Sequence, residues 1–169
     1  MHDATHAAPW SAGHGATEDK ARLYRDLAQE LEALLAGETD PIANAANAAA
    51  AIYHSLPTLN WAGFYFVRGE QLVLGPFQGK PACVRIPIGR GVCGTAAGDR
   101  RSILVPDVDA FPGHIACDSA SRSELVIPLL DGGQLLGVLD MDSPELNRFD
   151  GDDQVGCEAL AAIVVRHLR

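Results

Sequence analysis

A change of hydrophobic period at Asn60 constrains this chain most. Upstream, Leu23, Tyr24, Leu27, Leu31, Leu34 and Leu35 recur at helical spacing, and Gly37 offers a stop. Asp40-Pro41 restarts the chain in cap-then-proline order, and the alanine-rich run to about His54 reads as a second helix able to pack closely. Downstream, Trp61, Gly63, Tyr65 and Val67 alternate with Ala62, Phe64 and Phe66, which is the two-residue period of a strand. Arg68-Gly69-Glu70 turns that strand into a second over residues 71–75. Residues 83–88 are a third candidate strand, 92–97 a turn or two of helix, and 102–105 a short strand. Residues 124–130 and 134–142 form a hairpin about Asp131-Gly132-Gly133. Asp150 then caps a last helix through Val155, Leu160, Ile163, Val164 and Leu168. Helices before and after a run of hairpin-joined strands predict an α+β domain, a central antiparallel sheet flanked by helices.

The 169 residues suffice for one domain with its own core. Thr17 is the predicted cap of the first helix, so residues 1–16 are expected to be a flexible lead and 17–169 the domain. A net charge of −9 argues against nucleic acid, which needs clustered Lys and Arg. No apolar run reaches the roughly 18 residues of a membrane span, and the first residues lack the basic-then-apolar order of a secretory signal. The expected setting is therefore cytoplasmic and reducing, where four cysteines point to metal or redox chemistry rather than a disulfide framework.

Three of those cysteines, Cys83, Cys93 and Cys117, fall in the central stretch. Cys117 sits in a polar run from Pro106 to Ser123 that reads as a mobile surface loop, a poor place to keep an inert thiol. Cys157, inside the last helix, reads as core. The acids gather too. With a three-residue hairpin loop, Leu130 faces Gln134, Glu124 lies opposite Asp140, and Asp142 follows on the same face. Leu125, Ile127, Leu129, Leu135, Leu139 and Met141 then make the core face, and Val126, Leu136 and Val138 share the face of the acids. Carboxylates this close raise one another's proton affinity, so the cluster can keep an acid neutral or grip an ammonium group. Otherwise these acids are solvated, or paired with Arg122 or Arg148.

Other chemistries fit less well. Gly89-x-Gly91-x-x-Gly94 matches a dinucleotide fingerprint, but the following helix has room for only about seven residues, too short for a parallel crossover. Cys83, Cys93, His114 and Cys117 offer four zinc donors without the close cysteine pairs of structural sites. His2, His6 and His14 are scattered, as incidental tail histidines are.

Several words of the sequence are similar to one family. Asn60-Trp61-Ala62-Gly63-Phe64-Tyr65, the stretch from Gly75 to Cys83, Gly89-Arg90-Gly91-Val92-Cys93-Gly94, Phe111-Pro112-Gly113-His114-Ile115-Ala116-Cys117-Asp118, Ser123-Glu124-Leu125 and Leu139-Asp140-Met141-Asp142-Ser143-Pro144 resemble the GAF-domain free methionine-(R)-sulfoxide reductases. The resemblance implies a single GAF domain with a closed pocket over one sheet face, and reduction of the free amino acid rather than peptide-bound residues. It implies Cys117 as the nucleophile that becomes sulfenic acid, Cys83 as the resolving thiol, and Cys93 as a third thiol able to join disulfide exchange. Glu124, Asp140 and Asp142 match pocket carboxylates, Trp61 and Tyr65 an aromatic wall, and Ile115 and Ala116 substrate contacts. It further implies recycling by thioredoxin, a homodimer and a place in defence against oxidative stress. No cofactor and no metal are expected. A free thiol is only a few per cent ionised at neutral pH, so loop N–H groups or a charged His114 would have to activate Cys117. The alternative within the same fold is a sensory module that binds a small ligand without consuming it.

Overall fold

The computed structural model describes residues 14–169. The predicted flexible lead falls mostly on residues outside these. Helix α1 spans His14–Leu35, beginning before the expected cap at Thr17, and α2 spans Pro41–Ser55. Asp40 caps α2 as predicted, its carboxylate accepting the Ile42 and Ala43 N–H groups, with Pro41 at the first helical position. Six strands follow: β1 Trp61–Arg68, β2 Gln71–Gly79, β3 Arg85–Pro87, β4 Ile103–Val105, β5 Ser123–Asp131 and β6 Gln134–Ser143. Helix α3, Gly91–Asp99, lies between β3 and β4, and α4, Gly151–Arg166, closes the chain. The sheet runs β3-β2-β1-β6-β5-β4 with every neighbour antiparallel. That topology leaves no parallel crossover for a dinucleotide site at Gly89–Gly94.

The period-two face assignment of β1 holds. Ala62, Phe64 and Phe66 pack with Leu125, Ile127, Leu139 and Met141 under α1, α2 and α4. Trp61, Tyr65 and Val67 pack with Val126, Val138 and residues of α3 on the opposite face. Burying each large side chain contributes about 1.5–3 kcal/mol, so the helical face holds the larger share of the core. Strand β2 runs four residues past its predicted end. Gly75 and Pro76 stand opposite Phe64 in a bulge, where a missing N–H costs no ladder bond, and pairing resumes at Phe77. Cys83 and Val84, predicted as strand, precede the short β3.

The β5–β6 hairpin differs from its predicted register. Gly132 and Gly133 both take positive φ, 54° and 89°, and form a two-residue turn, so Asp131 faces Gln134. A bulge then skips Leu136, and Leu129 faces Gly137. The register is displaced by two residues, and Glu124 lies opposite Asp142 instead of Asp140. An even displacement preserves the face, so all three acids stay together. Leu135 and Leu136 lie on the far side of the bulge and exchange places. Leu135 packs on the face of the acids and Leu136 on the helical face, the reverse of the expectation. Gly137 beside the bulge has no room for a Cβ, which would strike the Tyr65 carbonyl oxygen of β1.

A polar knot ties α1 to α4. Asp153, 1 % exposed, accepts from Lys20 Nζ at 2.8 Å, Tyr24 Oη at 2.8 Å and Arg148 Nη1 at 3.2 Å. It also completes a capping box with Asp150. Cys157 is fully buried beside Tyr24 and Met141, and burial pushes its thiol up to about 12, consistent with the predicted core role.

Candidate active site

The three carboxylates occupy the open end of the sheet face that α3 covers. Glu124 begins the inner part of β5, between Val105 of β4 and Asp142 of β6. Asp142 pairs on its other side with Trp61, and Asp140 with Gly63. Trp61 covers Gly63, since a Cβ there would press on the indole ring. Glu124 and Asp140 are buried, at 5 % and 7 % exposure. Neither Arg122 nor Arg148 pairs with the three acids among the described residues; Arg148 serves Asp153 and the Pro57 carbonyl instead. Glu124 and Asp140 are therefore shielded from solvent, Asp142 is half-buried, and none of the three is neutralised by either guanidinium. Burial first, and then the neighbouring carboxylates, hold Glu124, Asp140 and Asp142 well above the usual carboxylate range.

Cys93 lies in the first turn of α3 with its Sγ 3.9 Å from Glu124 Oε1. Burial and the three acids push its proton affinity well up, so it stands as a thiol rather than a thiolate. His114 Nε2 is 3.3 Å from the other oxygen of Glu124. Burial lowers the His114 pKa, against the pull of Asp109, so the charged His114 considered for activating Cys117 is disfavoured. The imidazole contacts the acid cluster instead.

Cys83 and Cys117 form a disulfide, with Cα atoms 5.8 Å apart. The Cys83 N–H also donates to Cys117 Sγ at 3.4 Å. With both sulfurs bonded to each other, the four-donor zinc set considered from sequence does not assemble. Asp118, next to Cys117, accepts from Asn60 Nδ2 at 3.3 Å and the Ala120 N–H at 2.9 Å, and lies 3.7 Å from Lys80 Nζ. Asn60 Nδ2 also donates to Ser121 Oγ at 3.0 Å. These contacts staple the cysteine-bearing loop to the start of β1. An amide beside a Trp carries no local sequence sign of this role.

The aromatic wall is wider than predicted. Trp61 stacks between Tyr65, at 5.9 Å between ring centroids, and Phe77, at 5.3 Å. Phe77 was missed because the predicted β2 ended at Gly75. Trp61 Nε1 donates to the Lys80 carbonyl at 3.1 Å, and Tyr65 Oη to the Cys83 carbonyl at 3.0 Å. Both aromatics thus also hold the segment that carries Cys83. Trp61, Tyr65, Cys93, Ile115, Cys117 and the three acids line one cavity of about 30 Å³. Ala116 is exposed and lies outside that lining.

A chamber under α3 on one face of an antiparallel sheet, with α1, α2 and α4 on the other, is the arrangement of a GAF domain, and the GAF domain pattern matches residues 25–168. A free methionine-R-sulfoxide reductase of Escherichia coli is 51 % identical over 144 residues, covering 85 % of this chain and 87 % of that protein. Protein YtsP of Bacillus subtilis is 61 % identical over 138 residues, covering 80 % and 85 %. The solved structure of free methionine-R-sulfoxide reductase from Neisseria meningitidis, in complex with its substrate, has a TM-score of 0.86 at 47 % identity, covering 96 % of this chain and 95 % of that one. The chain belongs to the GAF-domain free methionine-(R)-sulfoxide reductase family.

Proposed function

We propose that this protein reduces free methionine-(R)-sulfoxide to methionine, and that Cys117, Cys83 and the buried acids carry the reaction. The observation that supports this most is the Cys83–Cys117 disulfide at the wall of a chamber floored by three carboxylates, Glu124 and Asp140 buried and Asp142 half-buried. In the reduced enzyme the Cys117 thiolate attacks the sulfoxide sulfur. The oxygen leaves only if it is protonated, which is general acid catalysis worth about 10²–10⁴-fold. The raised proton affinity of Glu124, Asp140 and Asp142 lets one of them keep a proton and donate it. The others, ionised, hold the substrate ammonium, while the Trp61 and Tyr65 rings take the S-methyl group.

Loss of the protonated oxygen as water leaves the Cys117 sulfur bonded to the substrate sulfur. A water then attacks Cys117 Sγ and gives up a proton. The sulfur–sulfur bond breaks, methionine departs with the bonding pair, and Cys117 is left as a sulfenic acid. The Cys83 thiol displaces water from it and closes the disulfide. A thioredoxin-class dithiol then attacks the disulfide and restores both thiols. Burial and the acid cluster place Cys93 in the chamber floor as a thiol, a position that suits contact with Glu124 better than disulfide exchange.

The cavity bordered by the disulfide is about 30 Å³, room for a water molecule or two but not an amino acid. Substrate entry therefore requires the reduced form and movement of the segment carrying Cys117. A chamber that accepts both charged ends of an amino acid excludes a residue within a peptide. The direct test is to supply the purified protein with separate R and S sulfoxides of free methionine, plus a thioredoxin system. Consumption of the R form alone supports the proposal. Binding of the R sulfoxide without turnover would instead make the protein a ligand sensor.

A further inference from the structure

Three donor atoms in the chamber floor lie close enough together to serve a second task beside sulfoxide reduction. Sγ of Cys93 and one carboxylate oxygen each of Glu124 and Asp140 lie within 4.8 Å of one another, and all three residues are buried. Tetrahedral zinc holds thiolate sulfur at about 2.3 Å and carboxylate oxygen at about 2.0 Å, so two such ligand atoms sit roughly 3.3–3.5 Å apart. The pair Cys93 Sγ and Glu124 Oε1, at 3.9 Å, is already close to that spacing. His114 Nε2 lies 3.3 Å from the other Glu124 oxygen, outside that trio, and would complete a fourth position by a shift of its side chain.

A separate observation points to a ligand. Oδ1 of Asp140 has no hydrogen-bond partner although the residue is only 7 % exposed and lines the cavity. A buried acceptor left unpaired costs about 1–3 kcal/mol. A cation in the chamber would relieve it. The donor set selects among cations: a thiolate and an imidazole favour zinc and its neighbours over magnesium or calcium, which take oxygen ligands.

We infer that the chamber is a site for one divalent cation of the zinc class, held by Cys93, Glu124 and Asp140 with His114 as fourth donor, and that the bound cation reversibly inhibits the protein. Binding displaces the Cys93 proton. It occupies the carboxylates proposed to serve the substrate, so cation and substrate exclude each other. The inhibitory consequence rests on the proposed reductase function; binding does not.

The oxidised protein separates this site from ordinary dithiol capture, because Cys83 and Cys117 are then tied to each other and Cys93 is the thiol facing the chamber. Cobalt(II) titrated into oxidised and reduced protein should give a thiolate-to-cobalt charge-transfer band saturating at one ion per chain, displaced by zinc. Cys93→Ser should remove the band, and Asp140→Asn should weaken zinc binding about tenfold or more by calorimetry. Zinc should compete with methionine-(R)-sulfoxide and be reversed by a chelator. A band that persists in Cys93→Ser, or the lack of a Cys93-dependent band in both redox forms, overturns the site. Such an outcome includes cation held only by the leading histidines. Cys93-dependent binding without competition overturns the inhibitory role alone, and the binding measurements stand even for a chain with no reductase activity.

Discussion

Tyr65 reaches across the aromatic wall to donate its hydroxyl to the Cys83 carbonyl at 3.0 Å. Burial and the nearby carboxylates hold this phenol protonated far above its ordinary range, so it is a dependable donor. The wall expected to face the substrate therefore also anchors Cys83, the proposed resolving cysteine. Tyr65→Phe keeps the ring and removes the anchor, at a stability cost of about 0.5–1.5 kcal/mol. The expected result is a normal first burst of methionine with slower closure of the disulfide. Trapping the sulfenic acid with a dimedone-type reagent during turnover measures this; unchanged trapping would separate the hydrogen bond from the resolving step.

Cys117→Ser should abolish a stoichiometric burst of methionine formed without external reductant. Cys83→Ser should retain that burst yet lose most turnover with thioredoxin. Rapid-quench measurement of methionine per chain reads both, and a burst surviving in Cys117→Ser would assign the nucleophile elsewhere.

Glu124→Gln and Asp142→Asn should each slow reduction, by about 10²–10⁴-fold for whichever residue gives the proton. Asp142→Asn should also stabilise the fold. Its native carboxyl binds protons more tightly folded than unfolded, so it costs stability as pH rises above its unfolded value near 4. The gain from Asp142→Asn should be absent in acid and grow toward neutral pH, reaching a shift in Tm of about 2–8 °C for 1–2 kcal/mol. Calorimetry across that range tests the sign.

Methionine-(R)-sulfoxide should bind the reduced protein and not the oxidised one, because the cavity beside the disulfide is too small for it. Titration calorimetry on both forms, using Cys117→Ser as the reduced, non-reacting form, checks this. Equal affinity would mean that the segment carrying Cys117 opens without breaking the disulfide.

Asp153→Asn should destabilise by about 3–5 kcal/mol, since it leaves Lys20 and Arg148 in a buried site without their counter-charge. Activity per folded molecule should stay normal, because that knot lies on the helical side of the sheet. Denaturant titration alongside burst stoichiometry separates the two effects.

Much of this architecture was legible because side-chain facing depends on parity. The alternation from Trp61 to Val67 assigned both faces of β1 correctly. The hairpin kept Glu124, Asp140 and Asp142 together even though the assumed turn was one residue too long and a bulge at Leu136 was unforeseen. The same bulge reversed Leu135 and Leu136, since beyond it the parity changes. A bulge leaves no local signature in an apolar run such as Leu135-Leu136, so it could not be read there. The pairing of Cys83 with Cys117 was implied by resemblance, not by spacing, because nothing between residues 83 and 117 fixes where the loop returns. The contacts of Asn60, Phe77 and His114 depend on long-range packing and had no periodic signal at all.

The disulfide and acid chamber occupy one side of the sheet, while α1, α2 and α4 with most of the apolar core occupy the other. Thermal tolerance and turnover are thereby largely separable traits. Sequence drift among the helices can adapt the protein to a hotter or colder host without retuning its chemistry.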